Sequence, residues 1–512
     1  MDRSSLIDKK IELNNAVWDD YYRGYQKASD MPGVRYPNEH LVRFINRISK
    51  KGSKKRKRIL ELGFGTIANM LMMQDCGYKV LGLEVSQDAV ERARGAIKKK
   101  NLESSLSVDV FSGNRLPVED ESFDIIVGLQ CVYYNIDQEV FAKECQRVLK
   151  LGGWIFFSFF SPRHGYMNYI DDQPGSVVKF KEDHPNPRLK GLELFLFKSK
   201  VQFEDIYGRY FDIEVGLEEF DLEPIFMSWQ YLIGKKRPFT KPRINFTTAP
   251  FLQKPLRAKE SNINKEVAQD KNRELWDRKY RLMYKDGVMP GNKYPNEHLI
   301  RFLATRRRPT NSFYVNIGKE NEISGDGQKV LEIMPLNITN LMMALDMDYI
   351  PYGVSGSNIV IEETKKAAER LAKAESMHLD RFEKGRFPYK DKTFDVIISE
   401  KAGSYMPNQR DFIDETKRVL KSRGEIFIGY LSPRHGYLQW ARPLGSSYYE
   451  ITPLHPDPTM RGIMIYVPEK NILEELWGKY FDVEIKFAQY DLYKFFSSFY
   501  FVKARRKDAD AK

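Results

Sequence analysis

Cysteine is scarce in this chain, and its scarcity limits both the compartment and the kind of site. Only three occur among 512 residues, namely Cys76, Cys131 and Cys145. Three separated cysteines cannot form a disulfide framework and do not have the spacing of metal ligands. We therefore expect a reducing, cytoplasmic setting and no metal site.

Long apolar runs and a strong excess of charge of one sign are also missing. The densest apolar run, residues 154–160, has only the length of a strand, so we expect no membrane span. Residues 1–15 lack the apolar core of a signal peptide. Lys and Arg number 82 against 70 Asp and Glu. We expect the basic runs at 54–58 and 306–308 to be solvated loops, with a polyanion-binding surface as the alternative.

The chain is a duplication of one unit. Residues 36–41 recur at 294–299 and residues 161–166 recur at 432–437, at a nearly constant offset. A repeat of this length indicates two whole domains rather than a solenoid. A stretch rich in proline and basic residues separates the copies and reads as a linker. The predicted divisions are a catalytic domain at 1–238, a linker at 239–264 and a degenerate domain at 265–512.

Strand and helix patterns alternate within each copy. Such alternation predicts an α/β fold with a mainly parallel, doubly wound sheet, and the short connection between the last two strands favours an antiparallel pair. Helices are predicted at 67–75 and 87–100. The predicted strands of the first copy are 58–62, 79–84, 106–110, 123–129, 154–160, 211–215 and 227–233.

The first predicted strand leads through Gly63 and Gly65 into a helix. Such a turn lets a ligand approach bare backbone and helix N–H groups. Glu84 ends the next strand, where a carboxylate can accept both hydroxyls of a ribose, and Asp109 comes near the end of the third, where an adenine amino group needs an acceptor. These side chains predict an adenosine pocket at the switch point of the sheet.

Two classes of nucleotide fit a turn of this type. Gly63, Gly65 and Ala68 also match the loose dinucleotide fingerprint of an oxidoreductase. Glu61 discriminates between the classes, because a carboxylate beside the turn would repel a pyrophosphate. A ligand with a cationic amino group would tolerate it.

Four segments in order resemble motifs of the class I S-adenosylmethionine-dependent methyltransferases. LELGFGT at 60–66 is similar to their first motif and GLEVS at 82–86 to their acidic second motif. Residues 116–128 and 147–158 resemble the segments around strands four and five. The resemblance implies two tandem Rossmann-like domains, each with a seven-stranded sheet, and S-adenosyl-L-methionine as the cofactor. One departure is Ile67, where many members have a third glycine.

The resemblance also implies roles for individual residues. Glu61 would orient the methionine amine, Gly63 and Gly65 would admit the cofactor, and Glu84 would hold the ribose. The remaining positions implied to contact the cofactor are Val85, which follows Glu84, Asp109 and Val110 at the adenine, and Leu129 and Gln130 near the methionine.

The second copy lacks key parts of this pocket. Met334 and Leu336 replace the two glycines, Pro335 removes a backbone donor, and Ser355 replaces Glu84. We interpret the second copy as a non-catalytic methyltransferase-like domain, with an altered ligand site as the alternative.

Several loop residues are candidates for the reaction itself. His164 is the candidate base if the acceptor is an alcohol, Arg163 a candidate anion clamp, and Tyr134 with Tyr133 a candidate wall of the acceptor pocket. The resemblance, in which N-terminal helices commonly cover the cofactor, implies that Tyr36 and His40 belong to a lid. Trp18, Tyr21 and Tyr22 precede them, and the pairing of Trp18 with Trp276 across the copies favours packing instead. Because the histidines and Arg163 recur in the second copy, structural packing is an equal interpretation.

The function that these observations favour is methyl transfer to a small-molecule or glycan acceptor by the first domain, with the second domain structural or substrate-binding. The alternatives are an RNA or protein methyltransferase, a non-catalytic scaffold and a dinucleotide oxidoreductase. Nucleic acid is not favoured as a partner, because no RNA-binding module is evident. The sequence does not define the oligomeric state.

Overall fold

The structure is a computed structural model, and the residues that it describes form two compact units. One unit is made mainly of residues up to 238, and the other mainly of residues from 265 onward. The predicted linker, 239–264, lies outside the described residues. The described ranges are 36–49, 57–111, 115–171, 175–186, 189–221, 225–238, 265–284, 294–306, 327–335, 338–383, 385–491 and 496–507.

The N-terminal unit contains a seven-stranded sheet in the order β3-β2-β1-β4-β5-β9-β8. Strands β1 to β5 pair in parallel, and β9 pairs antiparallel with both β5 and β8. The short strands β6 and β7 form a separate hairpin. The elements are α1 (Glu39–Ser49), β1 (Arg58–Leu62), α2 (Ala68–Asp75), β2 (Lys79–Glu84), α3 (Gln87–Lys99), β3 (Leu106–Val110), β4 (Phe123–Gly128), α4 (Gln138–Val148), β5 (Leu149–Phe160), β6 (Val177–Lys179), β7 (Glu193–Phe195), α5 (Lys200–Ile206), β8 (Phe211–Phe220) and β9 (Met227–Lys236).

This sheet confirms the predicted fold class, including the antiparallel closure. The bounds of β1, β2 and β3 coincide with the predicted strands, because each is a short apolar run bounded by turn residues. β5 begins earlier than predicted, at Leu149. The glycines at 152 and 153 suggest a turn, but the segment continues as a strand through a bulge opposite Phe123 and Ile125.

The C-terminal unit repeats this arrangement in the order β12-β11-β10-β13-β14-β19-β18. β10 to β14 pair in parallel, and β19 pairs antiparallel with β14. A small sheet, β15-β16-β17, replaces the β6–β7 hairpin. The elements are α6 (Lys265–Tyr284), α7 (Glu297–Thr305), β10 (Lys329–Ile333), α8 (Thr339–Asp346), β11 (Ile350–Ser355), α9 (Asn358–Arg370), β12 (His378–Arg381), β13 (Phe394–Ser399), α10 (Ala402–Tyr405), α11 (Gln409–Val419), β14 (Leu420–Leu431), β15 (Ala441–Gly445), β16 (Tyr448–Ile451), β17 (Met464–Tyr466), α12 (Lys470–Gly478), β18 (Phe481–Tyr490) and β19 (Ser497–Arg506).

The core of each unit lies between the sheet and its helices. In the N-terminal unit, Phe44 on α1 stacks on Phe156 of β5 with ring centroids 4.8 Å apart. In the C-terminal unit, Phe302 on α7 stacks on Phe427 of β14 at the same 4.8 Å. The duplicated sequence therefore gives duplicated packing. Among the described residues, no helix combines the length and the apolar character that a membrane crossing requires.

Candidate functional site

The turn after β1 has a backbone conformation and a closeness of contact that favour glycine. Gly63 and Gly65 have φ angles of +58° and +49°. The Gly63 N–H donates to the Leu83 carbonyl at 2.8 Å, which ties the turn to β2. A Cβ atom on Gly63 would lie only 2.6 Å from the Cβ of Cys131. The backbone conformation therefore disfavours a side chain at Gly63, and the contact with Cys131 leaves no space for one.

Glu84 joins the end of β2 to the same turn. Its Oε1 accepts the Val85 N–H at 2.8 Å, and its Oε2 accepts the Gly65 N–H at 3.1 Å. The side chain is buried. Burial raises the pKa of Glu84, although the backbone donors oppose that shift. The carboxylate is thus held in one orientation beside the glycine turn.

Glu61 is the second buried carboxyl group at this edge. Its Oε1 accepts the Asn69 Nδ2–H at 3.0 Å, while its Oε2 has no hydrogen-bond partner among the described residues. Burial raises the pKa of Glu61 to about 8, and the charge of Glu84 adds to the rise. A buried carboxyl group with one unpaired oxygen fits a cationic amine, which would donate the missing hydrogen bond.

Asp109 has a different environment from the two glutamates. Its side chain is exposed, and its Oδ1 accepts both the Val110 N–H at 2.9 Å and Arg94 Nη2 at 3.0 Å. Val110 is half-buried. The structure thus leaves Asp109 on the surface at the end of β3 and does not add it to the buried pair.

The segment after β4 provides the other side of the turn. Leu129 is half-buried, and Gln130 is exposed with a φ of +56° and donates its N–H to Ser158 Oγ at 2.8 Å. The Cys131 thiol donates to the Leu62 carbonyl at 3.1 Å. Sequence reasoning missed Cys131, because nothing in a lone cysteine signals that it will lie against a glycine far away in the chain.

His164 is buried in a turn instead of lying open above the sheet. Its Nδ1 accepts the Tyr166 N–H at 3.1 Å, so its hydrogen is on Nε2. The ring contacts Phe160 and Trp229, with centroids 4.6 and 5.0 Å away. Burial, with a smaller effect of His184, lowers the pKa of His164 to about 3. These contacts favour the structural interpretation of His164 over the catalytic one.

The other two candidate reaction residues lie near this turn. Arg163 is exposed, but its Nη1 forms an ion pair with the buried Glu219 at 3.1 Å. Tyr134 is half-buried and lies 4.6 Å from the ring of the buried Tyr133. Arg163 therefore already has an anionic partner, whereas Tyr134 stays a candidate pocket wall.

The proposed lid residues have separate outcomes. His40 is buried, and its Nε2 lies 2.8 Å from Glu218 Oε1, so it holds α1 against β8. Tyr36 is half-buried just before α1. The aromatic residues that precede them in the sequence, Trp18, Tyr21 and Tyr22, lie outside the described residues.

The C-terminal unit keeps the backbone of the turn but has larger residues in place of the glycines. Met334 replaces Gly63, has a φ of +55° and donates its N–H to the Val354 carbonyl at 2.8 Å, which is the same bond that Gly63 makes. Pro335 is buried, and Leu336 lies outside the described residues. Ser355 Oγ accepts the Ser357 N–H at 3.2 Å, so the counterpart of Glu84 makes this hydrogen bond within its own turn.

Helix α6 packs against the corresponding edge of the C-terminal unit. Trp276 contacts Tyr405 edge-on with centroids 5.0 Å apart, and Asp277 accepts a hydrogen bond from Ser357 Oγ. At the positions of Leu129 and Gln130 this unit has Glu400 and Lys401, which form an ion pair at 2.9 Å. The residues that would face a cofactor are therefore engaged with one another.

Two described arginines of the basic runs contact other side chains, although these runs are expected to be solvated loops. Arg306 is largely buried, and its Nε lies 2.5 Å from Glu425 Oε2. Arg58 lies over the Phe123 ring at 4.6 Å. Residues 54–56 and 307–308 are outside the described ranges. Arg58 and Arg306 are therefore in contact with other side chains of their own unit.

The first prediction concerns Glu332, the counterpart of Glu61. Its Oε1 accepts Asn340 Nδ2–H at 2.7 Å, and burial raises its pKa from 4.5 to about 8. The folded state thus favours the protonated form, so this group's contribution to stability is full below pH 4.5 and falls as the pH rises toward 8. Glu332→Gln cannot lose a proton, so its free energy of unfolding should match wild type near pH 4.5 and exceed it by roughly 1–3 kcal/mol at pH 8. Urea unfolding of the ligand-free protein measures this, and parallel pH curves would contradict it.

The second prediction concerns the two buried histidines that cap equivalent turns. His435 Nδ1 accepts the Tyr437 N–H at 3.2 Å, as His164 does for Tyr166. His164→Ala and His435→Ala should each lower the free energy of unfolding by about 1–3 kcal/mol, because each leaves a buried backbone donor unpaired. Chemical unfolding checks this. An unchanged stability in His164→Ala beside a loss in His435→Ala would show that His164 has no structural role.

Comparison with known proteins bears on both units. The family model described as a methyltransferase domain matches residues 60–157 and again 340–428. The chain is 30% identical over 127 residues to norajmaline N-methyltransferase of Rauvolfia serpentina, a match that covers 25% of this chain and 43% of that protein. It is 32% identical over 167 residues to a probable S-adenosylmethionine-dependent methyltransferase of Mycolicibacterium smegmatis, covering 32% and 58%.

A solved structure gives a further match, to the PH0226 protein of Pyrococcus horikoshii. The identity is 21% and the TM-score 0.32, and the match covers 43% of this chain and 99% of that one. The chain spans about half the length of the curated relatives it matches. Since one family match falls within each unit, the first from β1 to β5 and the second from α8 to β14, this chain carries two tandem methyltransferase domains of the class I type, whose cofactor is S-adenosylmethionine.

Proposed function

We propose that the N-terminal unit binds S-adenosylmethionine and transfers its methyl group to a small-molecule or glycan acceptor, and that the C-terminal unit does not bind this cofactor. The observation that carries the proposal is the contrast at the end of the second strand of each sheet. Glu84 is buried and oriented by two backbone donors, whereas Ser355 caps its own turn. Only the first arrangement offers a fixed carboxylate to a ribose.

Each residue at the carboxyl ends of the strands in the N-terminal unit then has a defined role. Glu84 and Val85 hold the ribose, and the bare backbone at Gly63 and Gly65 gives the cofactor room. Glu61 receives the amine at Oε2, the buried oxygen that has no hydrogen-bond partner among the described residues. Asp109 and Val110 lie at the adenine end, where the ion pair with Arg94 would have to share the Asp109 carboxylate. Leu129 and Gln130 border the methionine end.

Methyl transfer requires little chemistry from the residues of this chain. S-adenosylmethionine, when bound, supplies a methyl group on a sulfonium centre. The protein's part is to hold the acceptor in line with that group and to exclude water. An amine or thiolate acceptor needs no strong base, and the lowered pKa of His164 leaves it a poor one. Tyr134 is the residue that we assign to the acceptor wall.

A small-molecule acceptor is supported by the name of the norajmaline N-methyltransferase, since norajmaline is the acceptor which that name states. The glycan element rests on the polar, aromatic loops of the sequence. Methylation of RNA or protein has less support, because Arg306 of the second basic run is already ion-paired with Glu425. A structural or substrate-binding role is left for the C-terminal unit.

The third prediction tests the division of roles. Glu84→Ala should weaken binding of S-adenosylhomocysteine about a hundredfold or more, because it removes a fixed, buried carboxylate that would accept from both ribose hydroxyls. Ser355→Ala, at the same place in the other unit, should leave binding unchanged. Isothermal titration calorimetry measures both and should give one site per chain.

The other outcomes of this titration are equally informative. Two sites per chain, or equal losses in the two variants, would refute a single site in the N-terminal unit. No binding to the wild-type chain would instead favour a non-catalytic scaffold.

A further inference from the structure

A single amide side chain links the buried carboxyl group of Glu61 to the turn that precedes α1. Asn69, near the start of α2, accepts the Asn38 N–H at its Oδ1 over 3.0 Å. Its Nδ2 donates to Glu61 Oε1, also over 3.0 Å. None of the sequence motifs includes Asn69, and its contacts arise only from the fold.

The orientation of this amide follows from its partners. A backbone N–H can only donate, so the oxygen of Asn69 must face Asn38 and the amino group must face Glu61. The Asn38 turn is itself anchored. The Oδ1 of Asn38 accepts the N–H of Leu41, in the first turn of α1, at 3.0 Å, and its Nδ2 donates to the Tyr231 hydroxyl at 3.4 Å. The donor that faces Glu61 is therefore held by both α1 and β9.

The consequence for Glu61 is that its two oxygens are distinguished. Oε1 is occupied by Asn69, and Oε2 is buried with no hydrogen-bond partner among the described residues. Without the Asn69 bond, the carboxyl group could rotate and its ionised form would lose its one donor. Glu84 lies close enough to oppose ionisation of Glu61, and the Cys131 thiol interacts with both glutamates. No cation among these groups would replace Asn69.

We propose that Asn69 is a positioning residue for the amino-acid end of the cofactor: it fixes the Glu61 carboxylate so that the free oxygen receives the ammonium group. This inference rests on the proposed function of the N-terminal unit. It adds a residue that acts on the cofactor through another residue and that connects the Asn38 turn to cofactor affinity.

The C-terminal unit contains the same three groups and therefore supplies a matched control. The Asn296 N–H donates to Asn340 Oδ1 at 2.9 Å, and Asn340 Nδ2 donates to Glu332 Oε1 at 2.7 Å. Here the neighbouring turn has Met334 in place of glycine and Ser355 in place of Glu84. Asn340→Ala thus removes the same hydrogen bonds without affecting the proposed cofactor site.

The fourth prediction separates positioning from folding by using two ligands. S-adenosylhomocysteine has the amino-acid group, whereas 5′-methylthioadenosine has the adenosine and sulfur without it. In Asn69→Ala, calorimetry on the full chain should show S-adenosylhomocysteine binding about ten- to a hundredfold more weakly, the loss typical of a hydrogen bond to a charged group. Binding of 5′-methylthioadenosine should stay within about threefold of wild type, the range expected when no hydrogen bond to the ligand is lost. Asn340→Ala should change neither ligand.

Asn69→Leu, which keeps the approximate size of the side chain, is a second variant in case the alanine chain folds poorly, and it should show the same selective loss. Equal weakening of both ligands, or no weakening of S-adenosylhomocysteine, would overturn the role of Asn69. Failure of the wild-type chain to bind either ligand would instead overturn the proposed function and leave no cofactor for Asn69 to position.

Discussion

A buried carboxylate needs donors, and this requirement organises the edge of the N-terminal sheet. Glu84 obtains its donors from the backbone of Val85 and of Gly65, so its carboxylate is fixed where the glycine turn meets the end of β2. In the same turn Gly63 lies against Cys131, where no side chain fits. The oriented carboxylate and the glycines of the turn, which have no side chains, therefore lie next to each other at the place where a cofactor would bind.

The duplicated unit shows which part of this arrangement the fold itself requires. Met334 keeps the left-handed backbone of Gly63 and its bond to the next strand, at a conformational cost of about 1 kcal/mol or more. The carbonyl at the end of the first strand is satisfied in both units, by the Cys131 thiol in one and by the Ser399 hydroxyl in the other. The turn is thus set by hydrogen bonds between strands. The two glycines and the glutamate at the end of the second strand are therefore not needed to form the turn.

The sheet could be predicted from the sequence because its signals are local. Apolar runs bounded by turn residues define β1 to β3 closely, and the duplication extends the prediction to the second unit. Side-chain environments depend on contacts distant in sequence, and these could not be predicted. Asn69, Cys131 and the exposure of Asp109 belong to this class. His164 illustrates the reverse case, since a histidine in a polar loop suggests chemistry, while the fold places it among aromatic rings.

Burial as a neutral acid explains why the glutamate of the first strand is present in both units, as Glu61 and Glu332. The acid at the end of the second strand, Glu84, has no such counterpart. At neutral pH a carboxyl group whose pKa is about 8 is largely protonated, so Glu61 and Glu332 can be buried as neutral acids with one donor each. Neutral burial is tolerable whether or not a ligand binds. An incoming ammonium group would favour ionisation at Glu61 and would bring its own charge as compensation. A glutamate at this position can therefore be a buried, neutral acid in the C-terminal unit and a contact for a cationic ligand group in the N-terminal unit. The difference depends on whether the neighbouring turn has room for a ligand.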